Sequence, residues 1–144
     1  MKTISLLRVV FPVIFAAIAL QACNTGKTNE LLLHKKWRVY DVKVPKGDPY
    51  NLTQITQARD LKDGYYSNVY YQFLDNNVFV ATIDNKPDSG KYQLLSNGKV
   101  ISVTASNGDR NAENLVTVDR LDDDHFDMKV VSGDYHFILC TKKD

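Results

Sequence analysis

From Val69 onward the chain repeats one pattern: short apolar–polar alternations separated by tight Asn, Asp and Gly turns. Phe126-Asp127-Met128-Lys129-Val130 is its clearest example. Such alternation puts one set of side chains on one face of a strand and the other set on the opposite face. The spacing predicts strands over 69–74, 78–84, 91–95, 100–105, 115–121, 126–132 and 135–141. Asp75-Asn76-Asn77, Ser96-Asn97-Gly98, Asp122-Asp123-Asp124 and Gly133-Asp134 are hairpin chemistry. Asn85-Lys86-Pro87-Asp88-Ser89-Gly90 reads as a longer turn, and 106–114 as a polar loop.

An earlier strand over Trp37 to Val44 brings the set to eight. Connections this short require antiparallel neighbours, because parallel pairs need long crossovers. The expected class is therefore all-β: an eight-stranded antiparallel up-and-down barrel, whose closure removes exposed sheet edges. A sandwich competes, but it more often uses Greek-key crossings. Only 45–68 and 106–114 are long enough for those.

One short helix is expected after the first strand, from Asn51 to Gly64. Asn51 is a good N-cap, and Leu52, Ile55, Ala58 and Leu61 recur at a spacing of three. Gly64 is a C-terminal stop, and Lys62 suits the last turn.

Alternation assigns an interior face. It holds Val69, Tyr71, Phe73, Phe79, Ala81, Ile83, Tyr92, Leu94, Ile101, Val103, Val116 and Val118. Phe126, Met128, Val130, Tyr135, Phe137 and Leu139 complete it. An eight-stranded barrel either fills such an interior or holds one small ligand. The candidate ligand-binding residues are Trp37, Tyr71, Phe73, Phe79, Tyr92, Phe126, Met128, Tyr135 and Phe137. The tyrosines add hydroxyls that need partners inside, from a ligand, a water or another side chain.

The N-terminus carries Lys2 and Arg8, then an apolar run from Val9 to Leu20 broken only by Pro12. That is an n-region and h-region of signal-peptide length, with the small residue Ala22 before a cleavage point. A membrane span needs roughly 20 apolar residues, and this run is shorter. Leu20-Gln21-Ala22-Cys23 resembles the bacterial lipobox. The resemblance implies that Cys23 takes diacylglycerol, becomes the new N-terminus and is further acylated, for example with palmitate. Two or more chains anchor a protein without spanning the bilayer. Residues 1–22 are then a lipoprotein signal peptide, 23–30 the lipidated cysteine and its tether, polar from Asn24 to Asn29, and 31–144 the barrel domain. No Asp follows Cys23, so the inner-membrane retention signal of enteric lipoproteins is missing. The expected location is the cell envelope, at the outer membrane of a Gram-negative bacterium.

Removal of residues 1–22 from the 144 leaves 122, the size of one domain. Lys2 and Arg8 leave with them, so 18 basic and 17 acidic residues become 16 and 17. A net charge of −1 with no basic stripe argues against nucleic acid as a partner. With Cys23 acylated, Cys140 has no disulfide partner, and its apolar run Phe137-Ile138-Leu139-Cys140 points to a small buried hydrophobe.

No cofactor and no metal site are expected. His34 and His125 lie beside turns, and His136 and Cys140 share the outer face at about 13 Å along the strand, too far for one zinc. A haem held by one histidine, as in nitrobindin-like barrels, would need His136 to point inward. Asp122-Asp123-Asp124 lacks the spaced ligands of a calcium loop. No phosphate loop or nucleophile–base set appears, so the chain is not read as an enzyme.

The series of motifs resembles the lipocalin-like lipoproteins of Bacteroidetes-type bacteria. It comprises Lys35-Lys36-Trp37-Arg38-Val39, then Tyr71 to Phe79, Ser89 to Leu94, Val118 to Phe126 and a last strand with Phe137. Lys35 stands where lipocalins carry the Gly of Gly-x-Trp. The resemblance covers about residues 31–143 and implies a calycin-like barrel. The function expected is binding of a small apolar or amphipathic ligand by a membrane-anchored lipoprotein. The alternative is a filled barrel serving as a structural or protein-interaction module, with an envelope protein as partner.

Overall fold

The computed structural model describes residues 25–105 and 113–144. The lipobox, Cys23 and the polar loop after Ala105 lie outside the described residues, except for Glu113 and Asn114. A short helix α1 (25–32) leads into β1 (Lys36–Lys43) and helix α2 (Leu52–Asp63). Seven strands follow: β2 (Val69–Leu74), β3 (Val78–Ile83), β4 (Lys86–Leu95), β5 (Val100–Ala105), β6 (Glu113–Leu121), β7 (His125–Ser132) and β8 (Tyr135–Lys143). They form a closed barrel in sequence order, β8 returning to pair antiparallel with β1. The expected eight-stranded antiparallel barrel is the observed fold, with its helix after the first strand.

The interior follows the alternation. Phe73, Tyr92, Ile101, Phe126, Met128, Phe137 and Leu139 are buried with Trp37 and Val42, while Tyr71, Phe79, Leu94, Val103, Val116, Val118, Val130 and Tyr135 pack against them. On the outside Cys140 is also buried, and burial pushes its thiol up to about 11. His136 is exposed on that outer side, so it does not enter the barrel.

Three local expectations are corrected. The stretch read as a tether is helical from residue 25, and its end docks on the barrel. The turn expected over 85–90 is only Asp84-Asn85, both with positive φ (49° and 63°), and β4 starts at Lys86. Two positive-φ residues make the turn that matches the twist of paired strands. Ile83 pairs with Lys86 to close this hairpin, so the next pair, Thr82 with Pro87, sits at a non-hydrogen-bonded step. A proline there costs β3 no ladder bond. The third correction concerns α2. Asn51 and Gly64 cap it as expected, with Asn51 Oδ1 accepting from the Thr53 and Gln54 amides at 2.9 and 3.2 Å. Its buried residues are Gln54 and Ala58, however, whereas Leu52 is 66% exposed. Gln54 wins the inner position through hydrogen bonds: its Nε2 donates to Asp48 Oδ2 (2.9 Å) and to the His136 carbonyl (3.0 Å). The buried amide is thereby satisfied, as a buried polar group requires.

The barrel's two ends differ. At the end where β1 begins, α1 is fastened down. Leu32 is fully buried, and its carbonyl accepts from Trp37 Nε1 at 3.3 Å. The Tyr92 hydroxyl donates to Asn29 Oδ1 at 2.8 Å, and the His34 amide donates to the Phe73 carbonyl at 3.0 Å. Gly98, at φ 80°, lies so close to Thr28 that a Cβ would run into that side chain. At the opposite end α2 leans on β8, with Asn51 Nδ2 donating to the Tyr135 hydroxyl at 3.3 Å.

Candidate functional site

The interior is packed near α1 and open further up. A cavity of about 510 Å³ occupies the half of the barrel nearer α2. Its floor is aromatic. Phe73 meets Phe126 edge-on at 5.6 Å between ring centroids and Phe79 at 5.3 Å, and Phe79 stacks on Tyr71 at 5.8 Å. Ile101, Val103, Met128, Val130 and Leu139 supply aliphatic walls, and Tyr65 and Tyr66 close over it from the segment after α2. The volume falls within the ~300–1,000 Å³ of ordinary small-molecule sites.

The cavity's polar side chains are those of Tyr65, Tyr66, Tyr71, Glu113 and Asn114. Burial pushes the Tyr71 phenol far above its ordinary value, with Tyr66 and Tyr65 adding to the effect. No fully enclosed side-chain nitrogen or oxygen among the described residues lacks a partner, and the Tyr71 side chain lines the cavity. The Tyr66 phenol is raised too, by burial first and then by Tyr65, whose ring meets it edge-on at 4.9 Å. Three phenols therefore sit around one chamber. Glu113 is the single charged side chain among the described lining residues, and its Oε1 accepts from Ser102 Oγ at 2.5 Å.

Of the nine candidate ligand-binding residues, the structure brings Tyr71, Phe73, Phe79, Phe126 and Met128 to the cavity. The other four lie elsewhere. Trp37 and Phe137 are fully buried in the packed layer, Trp37 edge-on to Phe126 at 5.8 Å. Tyr92 is turned towards α1, and Tyr135 towards Asn51. Tyr65 and Tyr66 were not among the candidates. They follow the helix stop Gly64, where no periodicity assigns a face, and the only available signal was two adjacent aromatics in a polar segment. Among the described residues, no three His, Cys, Asp or Glu side chains are grouped to hold a metal ion.

The fold and this chamber define a closed eight-stranded antiparallel barrel, packed at one end and hollow at the other. The chain is similar in structure to an uncharacterized protein from Bacteroides eggerthii DSM 20697, with a TM-score of 0.50, 14% identity, and coverage of 78% of this chain and 99% of that one. It is likewise similar to a DUF4847 family protein from Bacteroides vulgatus ATCC 8482, with a TM-score of 0.51, 14% identity, and coverage of 78% and 94%. At that identity the likeness is one of fold. No protein-family model matches the chain, and no curated protein matches it.

Proposed function

We propose that this chain is a lipid-anchored binding protein of the cell envelope whose barrel holds a small apolar or amphipathic molecule. The observation that carries the reading is the cavity of about 510 Å³ with an aromatic floor and the buried Tyr71 phenol in its lining. Apolar surface removed from water contributes ~25 cal/mol per Å², which supplies affinity, while a buried phenol orients a polar group. Binding is passive, and the chain performs no chemistry on its ligand.

Anchoring rests on the lipobox resemblance at Leu20 to Cys23, with diacylglycerol on Cys23 holding the protein to the outer membrane. No helix among the described residues is long and apolar enough to cross a membrane. Incorporation of labelled palmitate that is lost in Cys23→Ser tests the anchor.

The cavity is tested by titration with the neutral fluorophore N-phenyl-1-naphthylamine. Saturable binding that Met128→Trp abolishes, with the fold intact by circular dichroism, supports the reading. Binding that survives the filled cavity places the probe elsewhere and contradicts it.

A further inference from the structure

The barrel wall is not equally closed all round. Between β6 and β7 the ladder runs from Leu121 with Phe126 to Thr117 with Lys129 and stops there. Both strands continue. β6 pairs with β5 as far as Glu113, and β7 pairs with β8 as far as Ser132. Carried on, the register would set Val116 against Val130 and Leu115 against Val131, yet none of these pairs forms. A bulge between Val118 and Arg120 precedes the end of the ladder, and a bulge bends and twists its strand. This leaves a seam, a stretch of wall at the α2 end where β6 and β7 share no ladder pair.

The seam reaches the cavity. Leu115 and Val116 on one side and Val130 and Val131 on the other all line it. Val116 and Val130 pack against the core from inside. Leu115 and Val131 alternate outward and are 62% and 66% exposed. One apolar track thus runs from the outer surface, past two facing valines, to Met128 and Phe126.

We infer that the β6–β7 seam is the entrance of the cavity, admitting the apolar part of a ligand sideways through the wall. The inference rests on the ligand-binding reading above and goes further, since it assigns the route and gives Leu115 and Val131 the role of an apolar rim. An apolar track suits a molecule with an extended hydrocarbon part.

The test is kinetic. In Leu115→Cys/Val131→Cys, a short bis-maleimide bridges the seam, with the cross-link verified by peptide mass. Stopped-flow mixing with N-phenyl-1-naphthylamine then compares bridged and unbridged protein. Bridging is expected to slow association and dissociation together by about tenfold or more, leaving Kd nearly unchanged. Leu115→Trp/Val131→Trp, which fills the rim without a cross-link, is expected to slow them likewise. Probe binding with unchanged rates in both overturns the entrance and leaves the cavity reading standing. An unmodified protein that does not bind the probe overturns both.

Discussion

The Tyr92 hydroxyl on β4 donates to Asn29 Oδ1 on α1 at 2.8 Å, joining residues 63 positions apart. This bond, with Trp37 Nε1 on the Leu32 carbonyl, makes α1 the plug of the packed end. Tyr92→Phe should cost about 1 kcal/mol, the net worth of one such bond. Gly98→Ala should cost about as much or more, since its positive φ and the nearby Thr28 both resist a Cβ. Urea unfolding measures both, and amide exchange of α1 should rise in each variant.

Trp37 is the protein's one tryptophan and is fully buried beneath Phe126. Its emission should therefore be blue-shifted and report a single site. Trp37→Ala should destabilise by about 3–5 kcal/mol, much of a typical domain's margin. Because Phe126 touches both Trp37 and the cavity, ligand binding should change Trp37 emission.

Asp122 organises the β6–β7 turn. The Asp124 amide foremost, with the Arg120 side chain and the His125 amide, holds its carboxyl down at about 2. A lowered folded pKa means that the unfolded chain binds the proton more readily, so the contribution is present above pH 4 and lost as pH falls towards 2. In Asp122→Ala the stability lost relative to the parent should shrink steadily across that window. Acid titration of thermal midpoints for the two proteins checks it.

Tyr71 behaves oppositely in alkali. Its folded phenol titrates above the unfolded value of about 10, so the native state loses stability as pH rises beyond 10. Tyr71→Phe should weaken that alkaline dependence, cost little stability at neutral pH, and weaken binding of ligands with a polar head more than of pure hydrocarbons. Phenolate absorbance against pH and paired ligand titrations measure the two effects.

Much of the barrel was legible because strand alternation is a local signal. Phe126, Met128 and Val130 point inward since a one-residue slip would bury Asp127 and Lys129 in the core. The α2 caps were equally plain, because Asn51 and Gly64 act on their own neighbouring backbone. What escaped is tertiary. Residues 25–30 are polar and have no helical stripe; their helix is held by Tyr92, far along the chain. Gln54 took the inner face of α2 through partners at Asp48 and His136. Pro87 suggested a long turn because its missing N–H costs nothing only once the hairpin register is known. For the site, the aromatic floor was readable from alternation, but division of the interior into a packed half and a hollow half was not. That depends on where α1 and the Tyr65-Tyr66 segment fall.

The most direct measurement is native mass spectrometry of the protein purified from its own host, followed by denaturing extraction. The account predicts a reproducible small apolar or amphipathic molecule that adds to the folded mass and is lost on unfolding. A protein that is consistently empty, and that gains no mass from a panel of neutral amphiphiles, would contradict the claim that the barrel is a binding chamber.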